Sequence, residues 1–567
     1  GGFLAGNRPQ SYRIPGSALI VGFLMAISNI ANLVKEMASE YGASNAVIIP
    51  RNCEKPSPVI LRNINFAELQ TSIDDASRGM LEIGIRPGMR VVVMVRPGIE
   101  FFQTVFSLFQ IGATVVAIDP GLGMNGIGAC VNEAQPDAFI GIPLANLARK
   151  MLGWGKATIK HCISVGFFPF ATSWSKIIRI GQASRQKFDG DIHDPAAILF
   201  TSGSTGISKG VVYQHDQFHA QFHALKSLYA IEPGEIDLPT FPLFGLFSPA
   251  MGMTTVIPEM DFTRPASANP EKIAGAIRHF QITNLFASPA LLRRLSLLPG
   301  GIKFPSIKRV LSAGAPVPAT EIANLAKRLN PAIQVFTPYG ATEALPLASI
   351  GSDEILVETT FKTAMGFGVC VGKPVPGVTI RIMKIDDEPI QSWDDQLLVS
   401  GGTIGEIVAS GPMVTKHYMN RPDQESRAKM KGLDGQIYHR MGDLGYLDLQ
   451  GRLWFCGRKS QRIIQGNKIH HTVPCEGIFD SVQGVFRSAL VGVGPVGLQE
   501  PVVCIQKKDP VEDEARLQEM ILGIAKQFDQ TKDVKKVLFH PSFPMDIRHN
   551  SKIRREDLSL WANEVLA

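Results

Sequence analysis

Ten consecutive residues, Thr201, Ser202, Gly203, Ser204, Thr205, Gly206, Ile207, Ser208, Lys209 and Gly210, hold the most chemically pointed pattern in the chain. Glycines let a backbone turn tightly and approach a phosphate, hydroxyls donate to its oxygens, and one lysine supplies charge. The segment follows an apolar run at 197–200, which predicts a strand feeding a phosphate-binding loop. It is not a Walker A loop. Ser208 stands before the lysine in place of glycine, and Gly210 follows it where Ser or Thr would hold Mg²⁺. A second cluster, His215, His219 and His223, recurs every fourth residue, the spacing of metal ligands along one helical stripe. Phe218, Phe222, Leu225 and Tyr229 define an amphipathic helix beside it, so the reading carried forward is ordinary helix-surface histidines. The pair His470-His471 is expected to point to opposite sides of a strand and to form no site.

Such groups need a large scaffold. The chain has 567 residues, 45% hydrophobic and 19% charged, a globular balance that excludes disorder, collagen and a multi-span membrane protein. Its net charge of +6 is spread along the sequence, with no arm suited to nucleic acid. Seven cysteines are scattered without a C-x-x-C pair, which reads as reduced thiols in the cytoplasm. Apolar runs at 91–95 and 115–118 predict strands around a helix at 100–109. Runs at 197–200, 285–287 and 310–312 repeat the short strand followed by a helix. The fold class expected is α/β, a large N-terminal domain of several subdomains with mixed, largely parallel sheets. After Arg458 a polar stretch at 459–462 reads as a hinge. Strands at 488–493 and 501–506 and a helix near 558–565 then predict a small, mobile α+β domain. The boundaries expected are an extension at 1–24 outside the fold, a domain at 25–459 and a second at 460–567. The apolar run at 18–27 is too short to cross a bilayer; a signal peptide is the alternative to an upstream extension before Met25.

From the loop onward the sequence resembles the adenylate-forming superfamily of acyl-CoA synthetases, luciferases and peptide-synthetase adenylation domains. That family's loop reads T-S-G-S-T-G-x-P-K-G, and only Ser208 departs from it. Further motifs follow in family order. Ala313-Gly314-Ala315-Pro316 is similar to the adenine-contacting turn. Thr337-Pro338-Tyr339-Gly340-Ala341-Thr342-Glu343 is similar to the motif whose tyrosine lies against adenine and whose glutamate binds Mg²⁺. Met441-Gly442-Asp443 stands at T-G-D, whose aspartate holds the ribose hydroxyls. Gly457-Arg458 precedes the family hinge, where Ser460 replaces the usual acid or lysine, and Lys552 falls at the C-terminal catalytic lysine. The resemblance implies ATP and Mg²⁺ as cofactors, with Lys552, Lys209, Glu343 and Thr342 as the catalytic set. Without it, Glu343 would read equally as a helix cap and Lys552 as part of a solvated basic face.

Adenylation joins a carboxylate to the α-phosphate of ATP, and both partners are anions. Each positioned cation is worth on the order of 3 kcal/mol to such a transition state. Departures inside the superfamily select a branch. Phe241-Pro242-Leu243-Phe244-Gly245-Leu246-Phe247-Ser248 has Gly245 where many ligases have histidine, and Lys552 lies in an altered context. With Asp237-Leu238-Pro239-Thr240, these features resemble the β-lactone synthetases of bacterial long-chain olefin biosynthesis. The resemblance implies a hydrophobic 2-alkyl-3-hydroxy acid substrate and assembly with a β-lactone decarboxylase and a ketone reductase. In that chemistry the 3-hydroxyl attacks the adenylate carbonyl, an intramolecular step favoured by at most roughly 7–11 kcal/mol of proximity. Phe241, Phe244, Gly245 and Phe247 are the expected pocket, with plain core packing as the alternative. A fatty-acyl-CoA ligase or fatty-acyl-AMP ligase shares every nucleotide motif and remains open at this point.

Overall fold

The computed structural model describes residues 28–188, 191–201, 208–241, 244–509, 511, 513–546 and 552–567. The expected extension at 1–24 and the loop residues Ser202, Gly203, Ser204, Thr205 and Gly206 lie outside the described residues, as does the side chain of Thr201.

Two large sheets organise most of the chain. In one, Thr172–Ser173, His161–Ser164, Ala138–Gly141, Arg90–Met94, Thr114–Ile118 and Ala197–Thr201 run parallel in that spatial order. Lys209–Tyr213 and His417–Tyr418 close it antiparallel. In the other, strands from Asn45–Arg51 to Val335–Ala341 form a parallel run, which continues antiparallel through Ala344–Gly351, Val369–Pro374, Leu453–Arg458 and Ile437–Leu447. Parallel strands are covered on both faces, which is why their sequences are continuous apolar runs without alternation.

Helix Ile99–Gln110 (IEFFQTVFSLFQ) sits inside the main core. Apart from Glu100 it is buried all round, as a helix with apolar residues on every side must be. Phe106 and Phe109 meet edge to face with ring centres 6.1 Å apart. The short apolar runs expected from sequence become strands Arg90–Met94, Thr114–Ile118, Ala197–Thr201, Asn284–Phe286 and Arg309–Leu311.

Beyond Arg458 the chain makes a short turn, Lys459–Gln461, a hairpin Ile463–Gln465 and Lys468–His470, and a three-stranded sheet. Helices Thr472–Phe479, Glu514–Ala525 and Arg555–Leu566 pack on that sheet. His471 corrects one expectation: it caps a helix instead of continuing the strand of His470.

A buried ionic cluster fixes the approach to this turn. Arg440 donates to Glu406 at 2.7 Å, with side chains only 2% and 1% exposed, and Lys459 reaches the same carboxylate oxygen at 3.1 Å. Lys459 also donates to the carbonyl of Asp386 at 2.7 Å. Burial pulls the Lys459 ammonium below its usual range, and Glu406 opposes that shift. Removing one member of a buried pair leaves the other charge uncompensated. Glu406→Ala is therefore expected to destabilise the fold by about 3–5 kcal/mol. A lower urea midpoint, followed by tryptophan fluorescence, is the readout, and an unchanged midpoint would show that the cluster adds nothing.

Candidate active site

Thr201 and Lys209 are opposite partners in neighbouring antiparallel strands. The glycine- and hydroxyl-rich segment is therefore the connection of a hairpin, with Lys209 fixed at its base. A second hairpin supplies the acid. Strands Val335–Ala341 and Ala344–Gly351 pair through Ala341 and Ala344, which leaves Thr342 and Glu343 at the two-residue tip. The helix-cap reading of Glu343 is thereby replaced.

The tip is clamped from two sides. Tyr213, at the end of the Lys209 strand, donates its hydroxyl to the carbonyl of Thr342, and Gln221 donates to the same hydroxyl at 3.2 Å. Thr415 donates its N–H at 2.8 Å and its hydroxyl at 3.0 Å to the carbonyl of Glu343. Tyr418 then donates to Glu343 Oε1 at 2.8 Å. Burial raises the Tyr418 phenol, and the carboxylate beside it adds to the shift, so the proton stays on tyrosine. Two lysines flank the Tyr418 ring, Lys209 at 5.6 Å and Lys429 at 5.5 Å from its centre. Burial lowers both ammonium groups, Lys429 to about 7, and in each case Glu343 opposes the shift. Lys429 is held by the carbonyl of Thr415 at 2.6 Å.

The third element is a buried carboxylate. Asp443 and Arg458 face each other in paired strands, with Arg458 Nη1 2.9 Å from Asp443 Oδ1. Tyr339 donates to Oδ2 at 2.6 Å. Burial pushes the Asp443 carboxyl up, and Arg458 opposes it. Oδ1 has its ion pair but no aligned hydrogen bond, so it retains acceptor capacity for a further donor.

These groups border one cavity of about 2510 Å³. Lys209, Thr342, Glu343, Arg458, Ser460 and Lys552 line its polar part, together with Gly314, Pro338 and Gly340. Gly314 turns with φ +100°, a conformation that suits glycine. Lys552 donates its backbone N–H to Asp546 Oδ1 at 2.8 Å, and its charge acts on Asp443. The deeper part is apolar. Phe241, Phe244 and Phe247 line it as expected, with Phe244 stacked on Phe286 at 4.1 Å and Phe247 against Phe218 at 5.4 Å. Gly245, Ala315, Pro316 and Thr337 are described but do not line the cavity; Tyr339 and Asp443 stand just behind its wall.

Sequence reasoning passed over Tyr418 and Tyr213, whose contacts run to Glu343 and to the Thr342 backbone 75 and 129 positions away, and over Lys429, which is held by the Thr415 carbonyl against the Tyr418 ring. Asp237 was singled out only within the motif Asp237-Leu238-Pro239-Thr240, with no role given to its acid. That buried carboxylate accepts from Ser248 at 2.5 Å and from Asn284, and burial pushes it up to about 6, in the wall of the apolar part. The histidine stripe needs correction. His215 is buried, its Nδ1 accepts the N–H of Ile30 at 3.1 Å, and burial lowers it to about 4. His219 Nε2 lies 2.8 Å from the carbonyl of Ser28. Two of the three histidines thus anchor the chain around residues 28–30, and among the described residues no group of three or more His, Cys, Asp or Glu is placed to hold a metal.

Known proteins resemble this chain in sequence and in fold. The sequence family described as AMP-binding enzyme matches residues 49–419. The olefin beta-lactone synthetase of Stenotrophomonas maltophilia (strain K279a) is 43% identical over 547 residues, covering 95% of this chain and 98% of the relative. The olefin beta-lactone synthetase of Xanthomonas campestris pv. campestris is 43% identical over 507 residues, covering 88% and 91%. Among solved structures, the amide bond synthetase McbA from Marinactinospora thermotolerans superposes with TM-score 0.76 at 20% identity, covering 94% of this chain and 99% of its own. ATP-bound MatB from Rhodopseudomonas palustris gives TM-score 0.75 at 20% identity, covering 95% and 100%. By matched length and by identity, the chain belongs to the family of AMP-binding enzymes.

Proposed function

We propose that the protein activates a 2-alkyl-3-hydroxyalkanoic acid with ATP and Mg²⁺, then closes the acyl adenylate to a β-lactone. The observation that carries this reading is the 43% identity with an olefin beta-lactone synthetase across 95% of the chain. The division of the cavity into a cationic, hydrogen-bonding part and an aromatic part supports it, since the substrate joins a polar head to alkyl chains. Seven unpaired thiols fit a reducing, cytoplasmic setting.

In the first step a carboxylate oxygen of the acid bonds to the α-phosphorus and the bond to diphosphate breaks. Lys209 and Lys552 meet the negative charge that gathers on the phosphate oxygens. The buried Lys209 gains from this, because an anion beside it restores the charged form that burial disfavours. The loop from Thr201 to Gly206 receives the phosphates, while the cavity wall at Gly314, Pro338 and Gly340, backed by Tyr339, receives adenine. Asp443 Oδ1, the buried acceptor with capacity left, fits a ribose hydroxyl. Tyr418 occupies one oxygen of Glu343, and the other is free in chemistry to face a divalent cation. Mg²⁺ held there would neutralise phosphate charge.

In the second step the substrate's own 3-hydroxyl oxygen bonds to the carbonyl carbon, its proton leaves, and the carbon–oxygen bond to AMP breaks. The apolar wall of Phe241, Phe244 and Phe247 keeps water from the mixed anhydride. The turn at Ser460 is the pivot between residues 25–459 and the segment 460–567 that carries Lys552.

Lys552→Ala is expected to lower adenylate formation, read by hydroxylamine trapping, by about 10²–10³-fold while ATP affinity by calorimetry stays unchanged. Unchanged trapping would remove Lys552 from the chemistry. Asp443→Ala should instead weaken ATP binding by about 1.5–3 kcal/mol, roughly ten- to a hundredfold in Kd. The branch is tested by product. With a 2-alkyl-3-hydroxy acid, β-lactone and AMP should form at the same rate with or without CoA. The acid lacking the hydroxyl should be activated and then stall as trapped adenylate. A CoA thioester as the main product from either acid would make the enzyme an acyl-CoA ligase.

A further inference from the structure

Helix Pro143–Leu152 is built inside out. Its polar Asn146 is fully buried and donates to the carbonyls of Gly141 at 3.0 Å and Ile163 at 3.1 Å. Its apolar side, Leu144, Leu147 and Met151 at helical spacing with Leu152, is exposed, Met151 to 75%. A surface helix ordinarily does the reverse. The loop that follows the neighbouring strand adds aromatic rings to the same surface. Phe167 is 87% exposed and Phe170 is exposed beside it. The Lys150 ammonium sits 3.0 Å from the centre of the Phe170 ring, which joins loop and helix into one patch. At the other end the loop closes on the helix start, since a Cβ on Gly166 would lie 3.0 Å from Pro143.

The segment of chain that carries this patch has charge of one sign. From residue 138 to residue 188 the chain holds eight lysines and arginines and no aspartate or glutamate. Lys150, Lys156 and Lys160 are exposed within that stretch. A second copy of the chain seated on the patch in two-fold fashion would set these lysines against each other. A protein partner would commonly bring matched hydrogen-bonding groups, whereas the exposed side chains at the centre have none to offer. Leucine, methionine and phenylalanine ringed by lysines are the features of a surface that enters the headgroup region of an anionic bilayer.

The patch also meets the cavity. Leu144, with Ala145 and Ala148 on the next faces of the same helix, lines the cavity that contains Lys209 and Lys552, and so does the exposed Met124. We propose that helix Pro143–Leu152 and the 166–170 loop form a docking surface for an anionic phospholipid bilayer, placing a cavity opening against the lipid. Among the described residues no helix is long and apolar enough to cross a membrane, so the contact is peripheral. Delivery of a lipophilic acid from the bilayer rests on the function proposed above, but the docking itself does not, and the test contains no substrate.

Full-length protein is sedimented with vesicles of phosphatidylcholine alone and of phosphatidylcholine mixed with phosphatidylglycerol. The anionic vesicles should bind at least about tenfold more tightly, with the difference lost in high salt. Met151→Glu combined with Phe167→Glu should lower binding to the anionic vesicles by about tenfold or more. Lys150→Glu combined with Lys156→Glu should remove the preference for anionic lipid and leave binding to phosphatidylcholine unchanged. Melting temperature and activation of a short, water-soluble 3-hydroxy acid should stay at the wild-type level in both variants, and the lysine pair decides alone if the apolar pair fails to fold. No binding to anionic vesicles, or equal binding by wild type and variants, overturns the proposal. A change in oligomeric mass by light scattering in the variants, with vesicle binding intact, would assign the patch to a protein contact and overturn it as well.

Discussion

A carboxylate 3% exposed to water governs the arrangement of the site. Asp443 cannot be buried as an anion without compensation, and it finds a guanidinium on the neighbouring strand and a phenol on a strand from a distant part of the sheet. Tyr339 is tied in this way to the strand that ends at Arg458. Because Arg458 is the last residue of its strand, the same charge fixes where the chain leaves the large sheet for the turn at Lys459–Gln461. The hairpin carrying Thr342 and Glu343 and the start of the C-terminal segment therefore share one electrostatic anchor.

Around the turn the logic repeats with a second buried carboxylate. Glu406, almost wholly buried, is shared by Arg440 and Lys459, and Arg462 pairs with Asp387 on the adjoining loop. Two cations on one buried carboxylate overcompensate it, and burial lowers the Lys459 ammonium despite Glu406. A lysine in that state is held less firmly than the Arg440 fork, which makes two hydrogen bonds to backbone carbonyls besides the one to Glu406. The strand side of the boundary is held by the Arg440 fork, and the turn side by Lys459 on Glu406 and Arg462 on Asp387.

Some of this was legible in the sequence, for stateable reasons. Buried parallel strands such as Val91–Val93 and Ala197–Phe200 show as continuous apolar runs, and a loop made of small hydroxylic residues and one lysine is rare enough to stand out. The position of Glu343 at a hairpin tip was not legible, because an acid after Gly-Ala-Thr fits a helix start as well as a turn. Periodicity found the helix His215–Leu228 but not which side of it would be covered, so His215 was expected outside and lies inside, accepting the backbone N–H of Ile30. Tyr418 and Lys429 left no signal. Tyr418 takes its meaning from Glu343, 75 positions away, and Lys429 from the Thr415 carbonyl and the Tyr418 ring, and none of these contacts follows a local spacing rule.

The cavity joins two environments that chemistry needs to keep apart. Cations and a divalent ion act most strongly where water is scarce, yet the ammonium groups that supply the charge are themselves disfavoured by dryness. The structure meets this conflict by pairing. Lys209 and Lys429 are both depressed by burial and both restored in part by Glu343, whose own oxygen is steadied by Tyr418. An arriving polyphosphate would add anionic charge at the point where the lysines are short of it. Such an anion would favour the charged form of Lys209 and so offset part of the cost that burial puts on it. The aromatic end, lined by Phe244 on Phe286 and Phe247 on Phe218, needs no such partner.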